Sequence, residues 1–350
     1  TLRNVPKSSS VRIMLEIFKK LGGKVTYLKG DAIRLNGDSI NSYSIDKELA
    51  KQERASLMFL APLLVKFGRS EVEDSGGCKL GNRPVDTLFQ GLMELGAELD
   101  QTNMFKFNAK KLIGNPNIWL YETSVTGTET LIIASVLAQG RTVIYNAACE
   151  PHVQDLCNFL VSVGAKIEGI GTNKLIIDGV EELSEGEHTI ISDHIDIGGL
   201  IIAAVITNGE LLIKNAIPTH IKHILNYMSK INVKTEVRGE DIFVPGGQEL
   251  ICKSNVKGDL DKINDQPWPS GFPVDLIPQM VVLAAKAKGN IRIHSIMYET
   301  QLLGFVEELK KMRAKVELAD TVRIFTFGPS EFKGATVVAP NVLQCVHAIL

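Results

Sequence analysis

A chain of 350 residues is long enough for two domains of roughly 100–200 residues, and 45% hydrophobic against 22% charged residues is the balance of a globular protein, which excludes intrinsic disorder. Its 38 basic and 40 acidic residues leave a formal net charge of -2, so no field of one sign points to nucleic acid or an anionic membrane as partner. The longest apolar runs, such as residues 200–206 and 281–285, fall far short of the ~20 residues needed to cross a bilayer.

In chain order, residues 1–5 read as a short strand, and the amphipathic stretch IMLEIFKKLGGKV reads as a helix closing on Gly22. The same pattern returns as LFQGLMELGAEL, LCNFLVSVGAKI, ILNYMSKINVKT and FVEELKKMRAKV, with Gly96, Gly164, Asn232 and Arg313 at the equivalent position. The intervals are 74, 68, 68 and 81 residues. Glycine and the left-handed-tolerant Asn suit the residue just past a helix end, whereas Arg313 is an exception to that preference. A second series interleaves with the first: LMFLAPLLVKFGRSEV, LIIASVLAQGRTVIYNA, LIIAAVITNGELLIKNA and MVVLAAKAKGNIRIHS, which we expect to close on Gly68, Gly140, Gly209 and Gly289. These helices are apolar nearly all round, as befits burial in the middle of a domain. Short β-rich runs such as Lys174–Asp178 and residues 241–245 complete a repeated βαβαββ unit.

The polar run at 181–188 predicts a domain boundary near 186–192, and residues 253–273, rich in Pro, Asp and Asn, read as one long functional loop or two short ones. A further second-series helix is expected over 342–350, so both ends of the chain are expected to cut through a unit, and the start at Thr1 suggests residues upstream. Five widely spaced cysteines, Cys78, Cys149, Cys157, Cys252 and Cys345, are an odd number and favour free thiols in a reducing compartment, here read as the cytoplasm.

One stretch carries a chemical signal of its own. In GGCKLGNRPVD at 76–86, Gly76, Gly77 and Gly81 give an open loop, and Lys79 and Arg83 favour the thiolate of Cys78. A buried inert thiol is the alternative. His220-x-x-His223 lacks a third ligand for zinc and reads as two solvated histidines; Gly169-x-Gly171 lacks the context of a dinucleotide site. Trp119 and Trp268 read as packing or loop anchors.

The repeated unit, together with GGCKLGNRPVD, the helix QERASLMFLAPLLVKFG, the segments SVTGTETLIIASVLAQG and NAACEPHVQDLCNFLVSVGAKI, and the loop FPVDLIPQ, resembles the enolpyruvyl transferases, most closely the branch whose acceptor is UDP-N-acetylglucosamine. The resemblance spans essentially the whole chain. It implies an α/β fold of two inside-out α/β barrel domains built from βαβαββ units, here residues 1–190 and 191–350, with the second domain incomplete. It also implies transfer of the enolpyruvyl group of phosphoenolpyruvate to the 3′-hydroxyl of the UDP-sugar with release of phosphate, the first committed step of peptidoglycan precursor synthesis, and it implies no metal and no organic cofactor.

Residue by residue, the resemblance makes Cys78 the general acid and covalent nucleophile, and Asp275 of FPVD the base for the sugar hydroxyl. Arg83 contacts the phosphate of phosphoenolpyruvate, and Arg54, one turn into its helix, the diphosphate. Pro84, Val85 and Asp86 form the uridine loop. Ser124, Val125, Thr126 and Gly127 form a second nucleotide loop, where helix-start amides can hold an anion, and Tyr298 of YETQL adds a substrate contact. Without the resemblance, Arg54 reads as a solvated arginine, Ser124 as an ordinary helix cap, and Asp275 as a cap on the helix that follows. Several arginines of the family are replaced: Gln301, Leu343, Cys149 and His194 stand in their positions, and Asn341 stands for an aspartate. A phosphate or carboxylate left unpaired by such losses costs several kcal/mol. The replacements keep open two alternatives, a paralogue with another acceptor and a non-catalytic UDP-sugar binder.

Overall fold

The computed structural model describes residues 1–73, 85–100, 104–298 and 302–338. The helix expected over 342–350 therefore lies outside the described residues. By contacts the chain divides into two compact units, with the change after Ile191.

The first unit runs through β1 (Leu2–Arg3), α1 (Ser9–Lys20), β2 (Lys24–Tyr27), β3 (Ile33–Asn36), α2 (Lys47–Ala50), a 3-10 helix over Arg54–Phe59, α3 (Leu60–Phe67) and β4 (Arg69–Val72). It continues with α4 (Asp86–Glu94), β5 (Glu98–Asp100), β6 (Phe105–Asn108), β7 (Ile118–Trp119), α5 (Val125–Ser135), β8 (Arg141–Tyr145), α6 (Pro151–Ser162), β9 (Lys166–Glu168), β10 (Lys174–Asp178) and β11 (His188–Thr189). Its strands form three sheets of order β11-β1-β3-β2, β4-β6-β5 and β7-β8-β10-β9. Each sheet is made the same way. A strand leads into a first-series helix, an antiparallel hairpin follows, and the hairpin's second strand returns beside the first. Where a fourth strand is present it joins the leading strand in parallel, as β11 does with β1 and β7 with β8. Ser44 bridges Glu71 of β4 in the same sense.

The second unit repeats the construction with α7 (His194–Ile206), β12 (Leu211–Ile213), α8 (Pro218–Met228), β13 (Glu236–Arg238), β14 (Asp241–Val244), β15 (Lys262–Asn264), α9 (Ile277–Lys286), β16 (Gly289–His294), α10 (Phe305–Lys311), β17 (Val316–Leu318) and β18 (Arg323–Gly328). Its sheets are β12-β14-β13 and β15-β16-β18-β17. The stretch at 253–273 is two short loops on either side of β15.

The helices of the second series, α3, α5, α7 and α9, form the centre of each unit. Leu131 and Ile132 of α5, and Met280, Val281, Leu283 and Ala284 of α9, are fully buried. Each large aliphatic side chain removed from water contributes ~1.5–3 kcal/mol, which is why a helix with no polar face is stable there. Close approach is helped by Gly91 of α4, where a Cβ would come within 2.5 Å of Leu131. Helices inside and sheets outside is the inverted barrel arrangement expected from the sequence.

All five first-series helices end with one hydrogen-bond pattern. The amides of Gly23, Ala97, Ala165, Val233 and Ala314 reach back to the carbonyls of Phe18, Leu92, Leu160, Met228 and Leu309, and the preceding residue bonds three residues back. This is the Schellman closure, and it demands a left-handed residue. Gly22, Gly96, Gly164 and Asn232 supply one, and so does Arg313, with φ of +66°. Arg313 thus obeys the geometry of the repeat against its residue preference. Nothing in the structure explains the choice of arginine. We expect Arg313→Gly to raise stability by roughly 1 kcal/mol, as relief of the left-handed strain outweighs the entropy of glycine, and urea unfolding midpoints would measure it.

The second series corrects the sequence reading. Only Gly68 caps its helix directly. After α7 the left-handed residue is Asn208, and Gly209 follows it. Gly140 and Gly289 also have positive φ, but α5 and α9 have ended by Ser135 and Lys286, so these glycines serve the entry to β8 and β16. Arg54 is not one turn into a helix either. It is the first residue of the 3-10 turn ahead of α3, because the side chain of Glu53 caps that turn at the amide of Ala55.

Candidate active site

In the first unit, the predicted binding residues that fall among the described ones sit at helix starts. Val85 is the N-cap of α4, without a side-chain bond, and Asp86 is its first residue, where a carboxylate suits the helix dipole. Ser124 caps α5, and its hydroxyl accepts from the amide of Gly127 at 3.1 Å. Gly127 is therefore paired within the loop, leaving the amides of Val125 and Thr126 as the first-turn donors without intrahelical acceptors. The two starts are adjacent. Thr87 Oγ1 of α4 donates to Glu122 at 3.4 Å, and a Cβ on Gly127 would lie 3.6 Å from the Thr87 methyl. The loop before Ser124 is further fixed by Asn146, which accepts from Thr123 and donates to the carbonyl of Leu120, both at 2.9 Å. The 3-10 turn beginning at Arg54 packs on α5. Cys78, Arg83 and Pro84 lie outside the described residues.

In the second unit, Asp275 is the middle residue of a 3-10 turn, Val274–Leu276, that runs directly into α9. The cap positions are Pro273 and Leu276, so the structure does not support the alternative that Asp275 is a helix cap. Its neighbours Val274 and Leu276 are buried while Asp275 is half-buried, which holds the backbone at this position. Tyr298 follows β16 and is also half-buried. Gln301, Asn341 and Leu343 lie outside the described residues.

The pair His220 and His223 is not solvated, contrary to the sequence reading. Both are half-buried on α8, and the ring of His223 meets Trp268 at 3.9 Å. Neither ring nitrogen of His223 has a hydrogen-bond partner among the described residues, and burial pushes its pKa down to about 4. His194, at the start of α7, is buried and also meets Trp268, at 5.5 Å, so Trp268 anchors its loop as expected. Trp119 does not pack in the core. It is 62% exposed and stacks on Tyr145. Cys149 is buried, and its thiol is pushed up to about 11 by burial and by Glu150.

Two groups escaped the sequence reading. Glu129, on the buried face of α5 one turn beyond the Ser124 loop, has its pKa pushed up to about 7 by burial and by Glu150. A single charge within an otherwise apolar helix was the available signal. An acid whose folded pKa exceeds its unfolded value destabilises the fold increasingly as pH rises from the unfolded pKa through the folded one. Glu129→Gln should therefore gain stability over the parent, by about 3 kcal/mol above pH 7, with the gain shrinking toward pH 5. Urea titrations at pH 5 and 8 would measure it, and a pH-independent difference would exclude this origin. The second group is Asp265, fully buried at the end of β15.

The profile of a family described as EPSP synthase (3-phosphoshikimate 1-carboxyvinyltransferase) matches residues 1–341. The chain is 38% identical over 341 residues to the UDP-N-acetylglucosamine 1-carboxyvinyltransferase of Treponema denticola, covering 97% of this chain and 79% of that protein. It is 40% identical over 342 residues to the protein of the same name from Borrelia garinii, again covering 97% and 79%. Among solved structures, the enolpyruvyl transferase NikO from Streptomyces tendae superposes with a TM-score of 0.79 at 18% identity, over 94% of this chain and 76% of that one. EPSP synthase from Acinetobacter baumannii does so at 0.67 and 16%, over 96% and 79%. With the repeated fold, the profile match and close to 40% identity over nearly its whole length, the chain belongs to the carboxyvinyltransferase family, among the relatives named UDP-N-acetylglucosamine 1-carboxyvinyltransferase.

Proposed function

We propose that the protein transfers the enolpyruvyl group of phosphoenolpyruvate to the 3′-hydroxyl of UDP-N-acetylglucosamine and releases phosphate. The observation that carries this reading is the identity of 38–40% to relatives bearing that enzyme name, over 97% of the chain. The chemistry has two stages. In the addition, the methylene carbon takes a proton from Cys78, Asp275 accepts the proton of the sugar hydroxyl, and the new C–O bond gives a tetrahedral intermediate. In the elimination, the thiolate of Cys78 takes a proton back from the methyl group, the C–O bond to phosphate breaks with its electrons leaving on phosphate, and the enol ether forms. Charge around phosphate, carboxylate and diphosphate is met by Arg83 and Arg54, assisted by the first-turn amides of α5 at Val125 and Thr126. Pro84, Val85 and Asp86 at the start of α4, with Ser124 and Gly127 at the start of α5, hold the nucleotide, and Tyr298 contacts the substrate.

The adjacency of the α4 and α5 starts supports this assignment, since one flat uracil–ribose unit must meet both. Among the described residues no helix is long and apolar enough to cross a membrane, and we assign the reaction to the cytoplasm, in the synthesis of cell-wall precursor. Phosphate release from phosphoenolpyruvate, measured with and without UDP-N-acetylglucosamine, tests the reading. Turnover that requires the UDP-sugar supports it. Tight UDP-sugar binding without turnover would instead favour a non-catalytic binder, and turnover only with another acceptor would favour a paralogue.

A further inference from the structure

Asp265 is fully buried, yet both of its carboxylate oxygens accept hydrogen bonds, all three from uncharged donors. Its Oδ1 accepts from the amide of Ile296 at 2.8 Å, and its Oδ2 accepts from the amide of Met297 at 3.2 Å and from the hydroxyl of Ser295 at 3.1 Å. All three donors belong to the turn that leaves β16 and leads to Tyr298. The main chain of Asp265 is engaged as well. Its amide donates to the carbonyl of His294, and it bridges Phe272, whose amide donates to Asn264 at 3.0 Å. Phe272 opens the FPVD segment that ends in Asp275.

One residue thus ties together two excursions of the chain, 23 to 25 residues apart in sequence at their attachment points. The loop between Asp265 and Phe272 is steadied independently by Trp268 against His194 and His223, and by the Tyr227 hydroxyl donating to the carbonyl of Ser270 at 3.2 Å. Ser295 is fully buried and its amide donates to the carbonyl of Val322 at 2.8 Å, but the side chains of Ile296 and Met297 are exposed, and there the turn is tied by its amides to the buried carboxylate. A buried anion is retained only where donors compensate its loss of hydration, and here the compensating donors are the backbone of a loop that bears a candidate substrate contact.

We infer that Asp265 is a positioning residue for catalysis, its carboxylate fixing the turn that carries Tyr298 and its main chain fixing the segment that carries Asp275. The inference rests on the functional reading above. Small displacements of such groups are expensive, on the order of a hundredfold in rate for about 1 Å.

Asp265→Asn preserves shape but offers one acceptor for three donors and turns an NH2 group toward N–H donors. Three measurements on the full chain test the inference: steady-state kinetics, the melting temperature, and amide hydrogen exchange at Ile296 and Met297. Ile242→Ala, a fully buried change in the other sheet of the same unit, serves as the comparison for general destabilisation. The expected result is a fall of at least about tenfold in kcat for Asp265→Asn, with accelerated exchange at both amides, while Ile242→Ala loses as much melting temperature and keeps kcat within about twofold. Equal kcat in the two variants at equal loss of melting temperature would overturn the inference, as would unchanged exchange at the two amides. Absence of UDP-sugar-dependent turnover in the parent chain would count against the functional reading instead, and the exchange measurement would still report whether the carboxylate holds the turn.

Discussion

Asp275→Asn should lower phosphate release by about two to three orders of magnitude while leaving UDP-sugar affinity within about threefold. The asymmetry follows from where the residue sits. Its neighbours Val274 and Leu276 are buried, and Ile277 and Pro278 of α9 are buried after them, so the backbone at 275 is held by packing that the substitution does not touch. Asp275 is not the N-cap residue of this turn or of α9, the cap positions being Pro273 and Leu276. Asn keeps the size and hydrogen-bonding reach of the carboxylate but cannot take a proton. Isothermal titration with UDP-N-acetylglucosamine, beside a turnover assay, separates the two properties. Loss of binding together with loss of the folded signal in circular dichroism would make Asp275 structural and remove it from the mechanism.

Cys78→Ser should abolish covalent labelling by an epoxide phosphonate and cut turnover by about a hundredfold or more, because serine is a far weaker acid and nucleophile at neutral pH. The structure gives this experiment its selectivity. The thiols of Cys149, Cys157 and Cys252 are pushed up to about 11, 12 and 11 by burial, and the first two are almost inaccessible. None of the three offers thiolate at pH 7. A modified peptide containing Cys78, lost in the variant, is the expected mass-spectrometric result, with the peptides of Cys149, Cys157 and Cys252 unmodified; Cys345 lies outside the described residues. Continued stoichiometric labelling of Cys78→Ser, or unchanged turnover, would take the residue out of the reaction.

What could be read from the sequence was local and periodic. The 3.6-residue pattern with a small residue at its end marks the first-series helices because the Schellman turn that closes them is itself local, six residues long. Arg313 could not be read the same way, since its left-handed backbone is imposed by the repeat and not by its own preference. Gly140 and Gly289 misled for a related reason: a positive φ is needed at a strand entry as well as at a helix end, and composition does not distinguish them. The helix starts at Val85 and Ser124 are legible as motifs, but their adjacency is a product of α4 packing on α5. Burial is the least legible property. The histidines of α8 read as solvated because their own helix offers a polar surface; it is Trp268, some 45 residues later, that covers His223. Asp265 is silent in the sequence because every donor it meets lies about 30 residues further on.

The pairing of β1 with β11 bears on how the chain is made. Asn4 donates to the carbonyl of Ile190, 186 residues away, and Leu2 and Arg3 align with His188 and Thr189. While the ribosome is still producing the intervening segments, the outer edge of β1 has no neighbour, and the central helices α3 and α5 lie in a unit that is not yet closed. Non-local pairings of this kind are slow to form and leave strand edges and apolar helices open to other chains in the interval. Release of the nascent first unit before Ile190 has emerged should therefore yield an aggregation-prone species, whereas a few dozen residues more of synthesis supply the strand that seals it.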